Sequence, residues 1–132
     1  MKIAIVKNNQ EEVTGLHTGV EACGQHEIMD IFVTTSDLPK TIASRVIGFQ
    51  TRLLLLDHKF SSFTGEEVSE ELIKLGFKGF VIQISKAICN GSDLSKQVFN
   101  RGEYLVQVEK MGGDKGGERL WSVKELLETF KE

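Results

Sequence analysis

Three polar residues follow apolar segments of the chain and could do chemistry together. Asp57 directly follows a run of four leucines, Ser85 follows a second apolar segment, and Lys110 lies two positions after a third. A carboxylate can act as a nucleophile and form a covalent intermediate. A hydroxyl group and an ammonium group can stabilise the negative charge that develops on oxygen atoms during such a transfer. If the fold brings these side chains together, they form one polar site.

The elements that must position these residues are five short apolar segments at nearly constant spacing. Their first residues are 25, 25, 27 and 24 positions apart. Each segment is too short for a helix, and most are continuous rather than alternating, which is typical of strands buried on both faces of a parallel sheet. The segments run from Ile3 to Val6, Ile28 to Val33, Leu53 to Leu56, Phe80 to Ile84 and Tyr104 to Val108.

Helical patterns lie between these segments and after the last one. The third is the clearest, because Thr64 and Glu67 match a capping box and Gly76 follows the last apolar position. Ser122 and Glu125 match a second capping box, which opens the final helix. The predicted apolar helix faces are Val13, Leu16, Val20 and Cys23; Ile42, Val46 and Phe49; Val68, Leu72 and Leu75; Leu94 and Val98; and Val123, Leu126, Leu127 and Phe130.

Alternating strands and helices predict the α/β class and a single domain over residues 1–132. We expect a three-layer α/β/α domain of flavodoxin-like type, with a five-stranded parallel sheet in the order 2-1-3-4-5. Ligands bind such sheets outside the carboxyl ends of the strands. Asp57, Ser85 and Lys110 are therefore expected to meet at that edge.

Charge and composition exclude several classes of protein. The chain has 16 Lys plus Arg against 19 Asp plus Glu, a net charge of −3, and lacks the concentrated positive charge that nucleic-acid binding requires. Its first apolar run is too short for a signal peptide or a membrane span. Cys23 and Cys89 have neither metal-ligand spacing nor a secreted disulfide pattern. We expect a cytoplasmic protein that binds neither nucleic acid nor a membrane.

With Asp57 placed after the third strand, the chain resembles the receiver domain of two-component response regulators over nearly its whole length. The resemblance is strongest over residues 53–84. There Asp57 is followed by a loop through Phe63, by a helix that opens at Thr64 with the sequence TGEE, and by residues 76–82 with the sequence GFKGFVI. These match the phosphoacceptor strand, third helix and fourth strand of that family.

The resemblance implies roles for the three polar residues. Asp57 would be the phosphoacceptor, Ser85 would hydrogen-bond the phosphoryl group, and Lys110 would neutralise its charge. Receivers also carry an acidic pair after the first strand, which holds Mg²⁺, but Lys7 and Asn8 occupy those positions here. Magnesium prefers carboxylate and other hard oxygen ligands, so an ammonium and an amide are poor replacements. We therefore expect no metal at this site and interpret the chain as a pseudo-receiver, with Lys7 as an internal counter-ion of Asp57.

The resulting functional expectation is a stand-alone, atypical receiver-like module of two-component signalling. It would act through protein–protein contact, without normal Mg²⁺-dependent phosphorylation and without a cofactor. Its expected partner is a histidine kinase, a downstream regulator or a second copy of the chain. The alternative is a working phosphoacceptor in a phosphorelay, in which a histidine kinase phosphorylates Asp57 and Mg²⁺ is bound. Glu11 and Glu12 could then supply metal ligands, and the only enzymatic activity would be autophosphorylation of Asp57.

Two further positions depart from the receiver pattern. Gln107 stands where receivers carry an aromatic residue that turns inward on activation. The segment 111–121 carries four glycines. It lacks the GxxxxGK[ST] pattern of a phosphate-binding loop, so we interpret it as a surface loop. Trp121 either packs beneath the final helix or anchors a partner, since tryptophan is favoured at binding hot spots.

Overall fold

The computed structural model describes residues 1–88, 105–111 and 119–131. The strands are β1 (Lys2–Lys7), β2 (Glu27–Phe32), β3 (Leu53–Asp57), β4 (Phe80–Ile88), β5 (Leu105–Met111) and β6 (Arg119–Ser122). The helices of this part of the chain are α1 (Gln10–Ala22), α2 (Pro39–Gly48), α3 (Gly65–Lys74) and α4 (Val123–Phe130). Strands β1 to β4 alternate with helices α1 to α3, as the spacing of the apolar segments predicts.

Strands β1 to β4 form a parallel sheet in the order β2-β1-β3-β4. The two central strands are buried on both faces, since the side chains of residues 3–6 and 53–56 have no exposed surface. This explains their continuous apolar sequences, because a strand covered by helices on both sides has no polar face. The α/β class and a parallel sheet of four strands are therefore confirmed.

Helices on both faces of the sheet divide the core into two halves. The odd-numbered residues of β1 and β3, such as Ile5 and Leu55, pack with residues of α1 and α4. The even-numbered residues, such as Val6 and Leu56, pack with residues of α2 and α3. Successive residues of a strand point to opposite faces, so each central strand contributes to both halves.

The direction of the fifth strand corrects the prediction of a five-stranded parallel sheet. Strand β5 lies beside β4 but runs antiparallel to it, and β6 adds a further antiparallel strand. An apolar segment indicates that a strand exists but does not indicate its direction, which depends on the connection before it. The predicted surface loop 111–121 overlaps strand β5 at Met111 and strand β6 at residues 119–121. Its remaining residues 112–118, like the predicted fourth helix around Leu94 and Val98, lie outside the described residues.

The capping box of α3 is confirmed and gives a first testable prediction. The Glu67 backbone N–H donates to Thr64 Oγ1 at 3.4 Å, and the Thr64 N–H donates to Glu67 Oε2 at 2.7 Å. Replacing Thr64 by alanine leaves a backbone donor of the first turn without its side-chain acceptor. The free energy of unfolding should fall by about 1 kcal/mol. Urea denaturation measures this change.

A matched control for Thr64→Ala is the same substitution at Thr41, which is exposed within α2. Alanine has the higher helix propensity, so Thr41→Ala should leave stability unchanged or raise it by a few tenths of a kcal/mol. Equal losses in both variants would show that the capping box does not stabilise α3.

Within the described residues, the helices are too short and too polar for any of them to cross a membrane.

Candidate functional site

The candidate site lies at the carboxyl ends of the two central strands. Lys7 is the last residue of β1, and Asp57 is the last residue of β3. The two strands are parallel neighbours, and Val6 of β1 is paired with Leu56 of β3. Lys7 and Asp57 each come one residue later, so they lie at the same level of the sheet. Both are buried: Lys7 is 1% exposed and Asp57 is 6% exposed.

The Lys7 ammonium lies between two carboxylates. Its Nζ atom is 3.6 Å from Asp57 Oδ1 and 3.4 Å from Glu12 Oε2, and the Glu12 side chain is 20% exposed. Glu12 is in the first turn of α1, where Asn9 is the N-cap and accepts from the Glu12 N–H through Oδ1 at 3.0 Å. The cap fixes the start of the helix and so brings Glu12 over the end of β1. The predicted Lys7–Asp57 pairing is confirmed, and Glu12 completes a Lys7–Asp57–Glu12 cluster.

Burial raises the pKa of the Asp57 carboxyl above its ordinary value, because loss of water disfavours the charged form. The Lys7 ammonium lowers this pKa, whereas the Glu12 carboxylate raises it. The backbone N–H groups of Lys59 and Asn8 donate to the Asp57 carboxylate and also lower the pKa. The net direction is upward, so Asp57 is protonated more readily than a solvated aspartate.

A second set of polar contacts joins the end of β3 to β4 and α3. His58 Nδ1 is 3.3 Å from Gln83 Oε1, and Gln83 Nε2 donates to Ser69 Oγ at 3.3 Å. The amide oxygen can only accept, so His58 Nδ1 is the donor in this contact. Gln83 is buried, and it was missed by the sequence analysis. The feature of the sequence that could have indicated this residue is its single amide side chain within the apolar run of β4.

Gly65 packs closely against the end of β3. It is the first residue of α3, and its N–H donates to the His58 carbonyl at 2.8 Å. A side chain at this position would place its Cβ atom inside contact distance of the Asp57 carbonyl oxygen and 3.4 Å from Gln83 Oε1. The close approach of α3 to the end of β3 therefore requires glycine here.

The structure places Ser85 and Lys110 only through their backbone. Ser85 follows Ile84, which is paired with Asp57, and Lys110 is paired with Gln83. Both residues lie within strands rather than beyond their ends, which corrects the sequence analysis: β4 continues to Ile88, and β5 runs in the opposite direction. Their side chains are outside the described part of the structure. That they meet Asp57 stays a prediction.

In the described arrangement a lysine ammonium lies beside the carboxylates of Asp57 and Glu12. Asn8 has an exposed side chain, and its backbone N–H rather than its amide group contacts Asp57. Across residues 1–88 and the other described ranges, no group of three or more His, Cys, Asp or Glu side chains could hold a metal ion. A metal ligand set at this edge would need Asp57 and Glu12, which already contact the Lys7 ammonium.

The chain matches no model of a known protein family, and a search of curated proteins returns no match.

Proposed function

We propose that the chain is an atypical receiver-like signalling module in which the Lys7–Asp57 ion pair replaces the metal and phosphoryl group of a phosphorylated site. The observation that carries the proposal is the position of Lys7 Nζ, buried 3.6 Å from Asp57 Oδ1 and 3.4 Å from Glu12 Oε2. Four parallel strands and flanking helices, compatible with a flavodoxin-like domain, support it. The module acts through contact with another protein.

Electrostatics explain why such a site does not need Mg²⁺. A single positive charge between two carboxylates offsets much of their repulsion in a region shielded from water. A divalent ion at the same place would have to displace the ammonium or lie beside it. Both arrangements are unfavourable. A displaced Lys7 would have to move its side chain out of its buried position, and a metal ion beside the ammonium would be repelled by it.

Two large apolar side chains near the same edge support function through protein contact. Phe32, the last residue of β2, is paired with Lys7 and is 46% exposed. Leu38, the N-cap residue of α2, is 62% exposed. We interpret these two exposed apolar side chains beside a polar site as part of a contact surface. The expected partner is a histidine kinase, a downstream regulator or a second copy of this chain.

Glu12 favours one alternative. It brings a second carboxylate to Asp57, so a movement of Lys7 would leave two oxygen ligands at one place. The chain would then be a working phosphoacceptor that binds Mg²⁺ and accepts a phosphoryl group on Asp57.

Acetyl phosphate with Mg²⁺ separates the two functions. The wild-type chain should gain no phosphoryl group under these conditions, because the ammonium repels the metal. Lys7→Asp restores an acidic residue and should raise Mg²⁺ affinity by at least about tenfold in a calorimetric titration. Lys7→Gln removes the ammonium without adding a charge and should act in the same direction with a smaller effect.

The control is Lys2→Asp, which changes the same charge at the exposed, opposite end of β1 and should not alter Mg²⁺ affinity. A phosphoryl group added to the wild-type chain, and lost on Asp57→Asn, would contradict the proposed function and establish the alternative.

A further inference from the structure

We infer that the Lys7–Asp57–Glu12 cluster is a site of covalent modification, at which Lys7 Nζ and Asp57 Cγ condense to an intramolecular isopeptide bond. The inference rests on the proposed function only in that both make the Lys7–Asp57 pair the centre of the module. The bond would make permanent the link between β1 and β3 that the ion pair makes reversibly.

The reacting groups are close, buried and fixed by neighbouring strands. Lys7 Nζ is 3.6 Å from Asp57 Oδ1, an oxygen bonded to the carbon that the amine would attack. Lys7 is 1% exposed and the Asp57 side chain is 9% exposed, so little water reaches either group. Both residues end parallel strands that are paired up to Val6 and Leu56, which limits their relative movement.

Burial also favours the protonated form of Asp57 that amide formation requires. An amine must lose its proton to attack, and a carboxyl group must carry one for its hydroxyl to leave. Burial raises the pKa of Asp57, which increases the fraction of the carboxylic acid. A neutral carboxylic acid costs less to bury than a carboxylate that lacks hydration.

Glu12 is placed to move the proton. Its Oε2 atom is 3.4 Å from Lys7 Nζ, so its carboxylate can accept a proton from the ammonium. The side chain is 20% exposed and therefore remains open to solvent on one side. The cap provided by Asn9 holds the first turn of α1 in position.

Two backbone donors complete the site. The N–H groups of Asn8 and Lys59 donate to the Asp57 carboxyl. When the amine attacks Cγ, one carboxyl oxygen takes on negative charge, and fixed N–H groups stabilise such an oxyanion. The cluster thus contains a nucleophile, an electrophile, a proton carrier and oxyanion donors.

The atoms balance without any co-reactant. Glu12 takes one proton from the Lys7 ammonium, and the amine adds to Cγ of the protonated Asp57 to form a tetrahedral intermediate. Glu12 returns its proton to the departing hydroxyl group, which leaves as water. The nitrogen then loses its extra proton, which passes to solvent through the Glu12 carboxylate. The products are one secondary amide and one water molecule, and no group is oxidised or reduced.

Intact-mass spectrometry of the folded and then denatured chain tests the inference. The wild-type mass should fall below the mass calculated from the sequence by one water molecule. Trypsin should release a branched peptide that joins residues 3–40 to residues 53–59, because an acylated Lys7 is not cleaved. Glu12→Gln should slow the loss of water by at least about a hundredfold, as expected when a proton carrier is removed.

Two variants identify the bond. Lys7→Arg keeps the positive charge but should abolish the mass loss. In Asp57→Asn the leaving group is ammonia rather than water, so the mass should fall by one ammonia molecule. The matched control is Lys2→Arg, since Lys2 is 3.7 Å from Glu27 in an exposed pair and should not condense; this variant should still lose one water.

The outcomes separate this inference from the proposed function. An unchanged wild-type mass after prolonged incubation, with no branched peptide, would overturn the isopeptide bond and leave the ion pair intact. A mass increase of one phosphoryl group with acetyl phosphate would overturn both. If Lys7→Arg does not fold, the wild-type mass and the branched peptide still decide the result.

Discussion

Relative to the uncondensed, ion-paired chain, replacing Lys7 by methionine should lower the free energy of unfolding at neutral pH by about 3 kcal/mol, because it leaves a buried carboxylate without its counter-ion. The Asp57 carboxylate would then face Glu12 with no positive charge between them. Methionine retains most of the volume of the lysine stem, so the loss reflects charge rather than a cavity. Urea denaturation of both proteins gives the difference.

The loss should depend on pH in a direction fixed by Asp57. Its pKa in the folded chain is raised above the ordinary value of 3.8, so folding takes up a proton between these values. Stability gained in this way is present at low pH and is lost as the pH rises through the raised pKa. Removing Lys7 takes away the charge that lowers this pKa. The difference between Lys7→Met and wild type should therefore shrink as the pH falls toward 3.8.

Two further variants check this interpretation. Lys2→Met removes a partly exposed lysine of the same strand, which is paired with Glu27 and lies over the Phe49 ring. It should cost no more than about 1 kcal/mol at any pH. Adding Asp57→Asn to Lys7→Met removes the unpaired charge and should restore most of the lost stability. A double variant as unstable as Lys7→Met would show that packing, not charge, causes the loss.

Replacing Gly65 by alanine should lower the free energy of unfolding by about 2 kcal/mol. The new Cβ atom would overlap the Asp57 carbonyl oxygen, which is backbone and cannot rotate away. Helix α3 would have to move outward, which would lengthen the 2.8 Å hydrogen bond from the Gly65 N–H to the His58 carbonyl. Because Asp57 belongs to the site, the variant should also change the pH dependence of stability. Urea denaturation across the acidic range measures both effects.

Gly48 provides the matched control for Gly65→Ala. It is the last residue of α2, and a Cβ atom there would meet nothing within 4 Å. Alanine restricts the unfolded chain more than glycine, so Gly48→Ala should raise the free energy of unfolding by about 0.5 kcal/mol. A loss at Gly48 similar to that at Gly65 would refute the steric explanation.

The parallel part of the fold was predictable because its strands have an unusual composition. The four consecutive leucines of β3 make sense only where both faces are covered, and the 25-residue rhythm leaves room for one helix between strands. Strand β5 was predicted, but its predicted parallel direction is wrong, since direction depends on the preceding connection. Strand β6 was missed because glycines before it indicated a loop, and only pairing with β5 makes Arg119–Ser122 extended.

The residues of the site that end strands could be predicted from the sequence. The contacts that depend on how side chains pack could not. Lys7 and Asp57 could be placed together because both end apolar strands that are neighbours in the predicted order. Glu12 was considered only as a metal ligand, although it contacts Lys7 in the structure. The link from Gln83 to His58 depends on the register between β3 and β4, which no local pattern specifies.

The packing of α4 against α1 has a consequence for how the chain folds during synthesis. Phe130 and Leu126 belong to the same half of the core as Ile3 and Leu16, at opposite ends of the sequence. Among the residues whose side chains the structure describes, the half of the core with α2 and α3 involves none beyond Val81, so this half can close while translation continues. The other half cannot close until the ribosome has released residue 130, so its apolar surface stays exposed for longer during synthesis. A slow final step in refolding should therefore report the docking of α4 onto the amino-terminal helix.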